Sequence, residues 1–417
     1  MMLSIVPHRS SLVALALLLG LAAVPSPAAL DQEAATGRIV AIADIHGSLD
    51  GLTAILRETR LLDDGGRWSG GATHLVQTGD FLDRGRDVRA VMDLLMRLET
   101  EARRARGRVD VLFGNHEGMN ILRDRRDISP EAYTAFADRR SEDRRRRAFE
   151  QHEAAAWRGG QTLDRQAWMQ THPPGLVEYV EALGPNGRYG RWLRSRRVVL
   201  RAADTLFMHA GLSPDDPVSI DEVNRGVEQE IRTWDTVVGV LERQQLAAPT
   251  FTVTEIVRAV QEEIGRIVEA QQTGTLLPDY VTREFVTALQ HISTIDTWAL
   301  VAADGPLWYR GLATLPDESL PAIESLLARH GARRFVTGHT PQLPGKVTAR
   351  FGGRVLLADT GMLAGHYKGG RPSAVEIVGG RVTAIYPGAR EPLRSPPDAA
   401  TAGRTDGVAE SVLGRAP

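Results

Sequence analysis

Asp44 and His46 stand two residues apart at the end of the apolar run RIVAI, and that kind of ending recurs along the chain. HLVQTGD closes on Asp80, VDVLFGNHE reaches Asn115 and His116, TLFMHAGL reaches His209, and RRFVTGHT reaches His339. Carboxylate, amide-oxygen and imidazole ligands gathered without a thiol suit Mn²⁺, Fe or Zn²⁺. A lone Asp in such a place is usually a turn residue, and a lone His a satisfied core group. That plain reading is kept for His74, His152, His172, His291 and His330, with His366 assigned to the rim of the site. Five repeats of one ending point instead to a shared metal centre. Two metals at the usual spacing of about 3.5–4 Å need a bridging carboxylate, and Asp80, in the middle of the set, is the natural bridge.

Such ligands meet only if the runs before them are strands that end at one edge. RIVAI, HLVQ, VDVLF, TLFMH, RRFVTG and RVLLAD are the strand candidates, while LDGLTAILRETRLL and DVRAVMDLLMRLETEARRAR carry apolar residues at helical spacing. The alternation predicts an α/β chain with βαβ units feeding a largely parallel buried sheet, and ligands bind at the carboxyl ends of strands in such sheets. Gly47, Gly79, Gly114 and Gly338 let the backbone turn sharply beside the endings. AVEIVGGRVTAIYP reads as a hairpin about Gly379 and Gly380, the last strand pair of the domain. Two helical insertions interrupt the rhythm, at about 122–200 and 219–300. The first holds the run RRSEDRRRR, read as a solvated helix face.

Composition narrows the classes. The chain has 417 residues, a formal charge of -2 and no cysteine. Disulfides, thiolate metal sites and cysteine nucleophiles are therefore excluded, and the charge implies no general pull toward nucleic acid. Residues 1–29 read as a signal peptide, predicting a periplasmic or secreted protein. Arg9 precedes an apolar run at 12–24, shorter than the ~20 residues of a membrane span, and small residues follow around Ala28. The catalytic domain is expected at 30–389 and a disordered tail at 390–417, where Pro, Gly and Ala dominate. Oligomeric state has no signature here.

The segments ADIHG, TGDFLDRG, FGNHE, MHAGL and TGHT, in this order, resemble the calcineurin-like metallophosphoesterase superfamily and its protein-phosphatase branch. GNHEGMNI, YGRWLRSRRVV and GPLWYRG are similar to segments of the Shewanella-like protein phosphatases. The resemblance implies a β-sandwich core with flanking helices and two divalent or trivalent metal ions. One would be held by Asp44, His46 and Asp80, the second by Asp80, Asn115, His209 and His339. Pro341 stands where many relatives outside this branch carry a further His ligand. Arg84 and Arg310 would grip phosphate oxygens. His116, oriented by Asp83, would protonate the leaving oxygen, and Glu117 would be a structural hydrogen-bond partner.

The expected activity is hydrolysis of phosphomonoesters by a metal-bridging hydroxide, with a serine/threonine or tyrosine phosphoprotein as substrate. A small-molecule hydrolase such as a diadenosine tetraphosphatase, and a non-catalytic metal-binding docking protein, are the alternatives.

Overall fold

A computed structural model describes residues 37–396. The signal segment and most of the expected tail lie outside the described residues. Among the described residues, eleven strands form two mixed sheets. The first runs β11-β10-β9-β1-β2-β3, from β1 (Ile39–Ile42), β2 (His74–Gln77), β3 (Arg108–Val111), β9 (Ala374–Val378), β10 (Arg381–Tyr386) and β11 (Ala389–Leu393). The second runs β4-β5-β6-β8-β7, from β4 (Val199–Ala202), β5 (Thr205–Met208), β6 (Arg334–Thr337), β7 (Thr348–Arg350) and β8 (Val355–Leu357).

The two facing mixed sheets form the β-sandwich core that the resemblance implies, in place of the largely parallel sheet that the alternation alone suggests. In each sheet three neighbouring strands pair in parallel, β1, β2 and β3 in one and β5, β6 and β8 in the other, and every other pairing is antiparallel. Ile39 and Ala41 of β1, Val76 of β2, Phe207 of β5, Val336 of β6 and Leu356 of β8 share a core with the β9–β10 hairpin between the sheets. Their alternate neighbours, among them Val40, Ile42, Leu75, Leu206, Met208 and Phe335, pack into the core under the helices. A strand covered by a sheet on one face and helices on the other is apolar throughout, like one covered by helices on both. The run of apolar residues does not distinguish the two.

The hairpin forms at Gly379–Gly380, but it is not the last strand pair. β11 adds a third strand antiparallel to β10, so ordered chain continues past the boundary placed at residue 390. Pro392 is tolerated because β11 is an edge, where a missing N–H need not break a ladder. Ala389 and Leu393 pack against the core between the sheets.

Both insertions are helical, the second built from Ile220–Arg243, Val253–Thr273 and Arg283–Ile292. Ser219, Thr252 and Thr282 cap these helices through their hydroxyls, and Glu222 and Glu255 complete capping boxes on the first two. The insertions are joined to each other. Arg194 forms a two-pronged ion pair with Asp235 at 2.7 and 2.8 Å, Arg123 pairs with Glu242 at 2.8 Å, and His152 bonds Thr250 and Glu255. The arginine run is only partly a solvated face. Arg146 and Arg147 are exposed, whereas Arg144 binds Glu178 and Arg145 reaches the Met169 carbonyl. Among the described residues no helix is long and apolar enough to cross a membrane.

Candidate active site

The six parallel strands, three from each sheet, bring their carboxyl ends to one place. Asp44 follows β1, Asp80 follows β2, Asn115 follows β3, His209 follows β5 and His339 follows β6. The two sheets are tied together there. The His339 N–H donates to the Asp44 carboxylate at 3.0 and 3.2 Å, and His209 Nδ1 meets the Thr78 carbonyl at 3.2 Å. Asp44, His46, Asp80, Asn115, His116, His209 and His339 are all buried.

Convergence strains the backbone. His46, Asp80, Asp83, Arg84 and His339 all have positive φ, between 47° and 65°. For residues with a Cβ this costs on the order of 1–3 kcal/mol each and persists where the surroundings over-determine it. The glycines act in two different ways. Gly79 has φ +97°, a true left-handed turn. Gly114 and Gly338 instead make room: a Cβ on them would lie 2.3 Å from Asp80 Oδ1 and 2.1 Å from Asp44 Oδ1.

Three imidazoles are aimed by backbone carbonyls. His46 Nδ1 faces Leu82 O at 2.9 Å, His209 Nδ1 faces Thr78 O, and His339 Nε2 faces Trp308 O at 3.1 Å. Donating there leaves each opposite nitrogen with a lone pair turned into the site, the arrangement found for metal-ligating histidines. His209 Nε2 and His339 Nδ1 then confront each other at 3.1 Å, with Asn115 Oδ1 2.8 Å from His209 Nε2. Lone pairs so placed repel unless a cation lies between them. His46, Asp80 and His116 form one group whose ligand atoms lie close enough to hold an ion, and Asp80, His209 and His339 form another. In the first group the His116 ring is held at Nδ1 by a carboxylate, Asp83, rather than by a backbone carbonyl.

The electrostatics agree with a cation site. Burial pushes the Asp44 carboxyl well up, and the nearby Asp359 and Asp80 carboxylates add to it. Burial also raises Asp80, but the imidazoles of His209, His116 and His46 outweigh it and hold the group well below the usual range. Burial holds His46 well down, and His339 down to about 2, the neighbouring His209 adding to the effect there. Burial thus disfavours the protonated form of both rings, and metal ligation needs the neutral one.

His116 differs. Burial opposes its charge, but Asp80 and the hydrogen-bonded Asp83 win and push it up to about 9. Asp83 Oδ2 lies 2.7 Å from His116 Nδ1, and Asn120 Nδ2 donates to Asp83 Oδ1 at 2.7 Å. Removing the Asp83 charge lowers the pKa of His116, so the imidazolium disappears at lower pH. In Asp83→Asn the alkaline limb of the kcat/KM profile is expected to move acidward, checked by assays from pH 6 to about 10. An unmoved limb would show that His116 does not set it.

Glu117 accepts four backbone N–H groups, from Asp80, Gly114, Phe81 and Leu82, at 2.7–3.1 Å. Burial and Asp80 push it up to about 8 against those donors. It pins the loop that carries Asp80 to the one that carries Asn115. Each orphaned buried donor costs about 1–3 kcal/mol, so Glu117→Ala is expected to lower stability by roughly 3 kcal/mol or more, read from urea unfolding.

The arginines flank the site. Arg84 Nη1 lies 2.6 Å from His46 Nε2, its Nη2 lies 3.0 Å from His116 Nε2, and it also contacts the Tyr367 hydroxyl. The edges of Arg84 and His116 face one spot, where an anion satisfies both. Arg310 is exposed at the other side and donates from Nη1 to the His339 carbonyl at 2.8 Å.

Three neighbours were not singled out from sequence. Asp359 ends β8 in LADTG, the same glycine-framed strand ending, so the signal was present. It is buried beside Asp44, burial pushes it up to about 6, and its Oδ2 has no hydrogen-bond partner. Tyr367 makes the rim contact, whereas the adjacent His366 is exposed. Asp127, in the first insertion, sits 3.7 Å from both His116 Nε2 and Arg84 Nη2, and nothing in its sequence context announces this. Of the histidines assigned to structure, His74 bonds Asp110 at 2.6 Å and His172 stacks on Trp168.

Comparison with known proteins bears directly on this geometry. The model of the calcineurin-like phosphoesterase family matches residues 37–248. A protein of Schizosaccharomyces pombe without an assigned function is 27% identical over 334 residues, 79% of this chain and 74% of its own. Shewanella-like protein phosphatase 2 of Arabidopsis thaliana is 29% identical over 212 residues, 47% of this chain and only 51% of its own. The cold-active protein-tyrosine phosphatase of a psychrophilic Shewanella species shares the fold, with a TM-score of 0.54 at 22% identity over 86% of this chain and 81% of that one. With the strand-end cluster in place, the chain belongs to the calcineurin-like phosphoesterase family and is a metal-dependent phosphoester hydrolase.

Proposed function

We propose that the chain is a dinuclear-metal phosphatase that hydrolyses phosphomonoesters on proteins. The observation that carries this reading is the two-sided Asp80 carboxylate, whose Oδ2 lies 3.7 Å from His46 Nε2 and 3.2 Å from His209 Nε2. Asp44, His46 and Asp80 would hold one ion, and Asp80, Asn115, His209 and His339 the other, with Mn²⁺, Fe or Zn²⁺ suited to such donors. Bound there, the two ions would supply a water of lowered pKa and neutralise phosphoryl charge.

The remaining work belongs to the chain. Arg84 and Arg310, on opposite sides, orient the phosphoryl oxygens, a task for which the planar guanidinium is suited. His116 Nε2 delivers a proton to the leaving ester oxygen, while Asp83 keeps the ring charged and Asn120 fixes Asp83. A hydrogen bond to a charged group contributes about 1.5–3 kcal/mol. Arg84→Ala is therefore expected to lower kcat/KM at least 10-fold, chiefly through KM, and Arg84→Lys not to restore it.

Protein substrates are favoured because relatives of this chain are named protein phosphatases. The test is a panel of phosphoserine, phosphothreonine and phosphotyrosine peptides beside dinucleoside polyphosphates, assayed with Mn²⁺. Turnover of phosphopeptides supports the reading. Turnover confined to dinucleoside polyphosphates overturns it.

A further inference from the structure

Behind His116, between the two insertions, lies a cavity of about 60 Å³ bordered by Asn120, Tyr179, Arg123, Arg125, Arg194 and Glu242. One buried water needs only about 10–15 Å³, so a small tetrahedral ion fits. The carboxylates around it are engaged: Asp235 by Arg194 and Glu242 by Arg123. Arg125 makes no direct ion pair among the described residues, the Glu255 carboxylate acting on it only from farther off, and its Nη2 donates to the Thr250 carbonyl at 3.0 Å. Nη1 of Arg123 and Nη1 of Arg125 are both shut from solvent with no hydrogen-bond partner. Donors shut from solvent without an acceptor are costly unless an oxyanion answers them, and a guanidinium pair suits a tetrahedral oxyanion.

The cavity wall leads to the catalytic imidazole. Tyr179 donates to Asn120 Oδ1 at 2.5 Å, Asn120 Nδ2 donates to Asp83 Oδ1 at 2.7 Å, and Asp83 holds His116. We propose that this cavity is a second anion site, distinct from the metal centre, that takes a small tetrahedral oxyanion and adjusts His116 through Tyr179, Asn120 and Asp83. Inorganic phosphate is the ion the enzyme itself would release, an identification that rests on the phosphomonoesterase reading above.

Crystals of the metal-loaded full chain soaked in tungstate test the site by anomalous scattering. The expected map has a peak in the cavity as well as one at the metal centre, and Arg125→Met removes the first while keeping the second. Inhibition of p-nitrophenyl phosphate hydrolysis by inorganic phosphate is expected to be mixed in the native enzyme. It becomes purely competitive in Arg125→Met, or, should that variant not fold, loses about 10-fold in its non-competitive component in Arg125→Lys. A tungstate peak at the metal centre alone, or purely competitive inhibition of the native enzyme, overturns the proposal. Failure of the phosphatase reading looks different: no hydrolysis in any assay, with the cavity peak still present.

Discussion

Asp80→Asn is expected to lower metal-dependent kcat/KM by on the order of 10³-fold or more and to leave at most one tightly held metal ion per chain. The substitution preserves shape. An Asn side-chain oxygen can still accept from the His116 N–H, as Asp80 Oδ1 does at 3.0 Å. What it removes is the negative charge of the group that faces both ligand sets. Without it the site keeps the Asp44 and Asp359 carboxylates on one side, but only neutral donors on the other. Elemental analysis alongside activity reads both effects. A variant that holds two ions and works within 10-fold of the native rate would show that Asp80 does not bridge.

The second large effect concerns His116. His116→Asn should reduce kcat toward a phosphoserine peptide by about 10²–10⁴-fold, the usual contribution of a positioned acid or base. Toward p-nitrophenyl phosphate the loss should be much smaller, since nitrophenolate departs without needing a proton. The ratio of the two losses is diagnostic. A merely structural histidine would depress both substrates alike, whereas a proton donor depresses them in proportion to leaving-group basicity. Its hydrogen bond to Asp83 at 2.7 Å places it for the second behaviour.

These expectations reach back to different levels of information. The residue types that meet in the cluster were written in the chain, because each strand end carries its own polar residue beside a glycine, and such local punctuation survives in one dimension. Asp44, His46, Asp80, Asn115, His209 and His339 could therefore be named before any fold was known, and Asp359 could have joined them by the same rule. The helical insertions were legible for the same reason, through spacing of apolar residues within each segment.

What needed the tertiary structure were the relations between segments. Whether the apolar runs make one parallel sheet or two facing mixed sheets depends on what covers each face, and a doubly buried strand looks the same either way. The positive φ values at Asp80 and His339, the clearance above Gly114 and Gly338, and the hold of Glu117 on the N–H groups of Asp80, Phe81 and Leu82 arise only when distant loops are pressed together. Asp127 and Tyr367 became neighbours of Arg84 in the same way. Local sequence sets which group a strand end offers; its charge state, its aim and its partners come from the fields and contacts of chain hundreds of residues away.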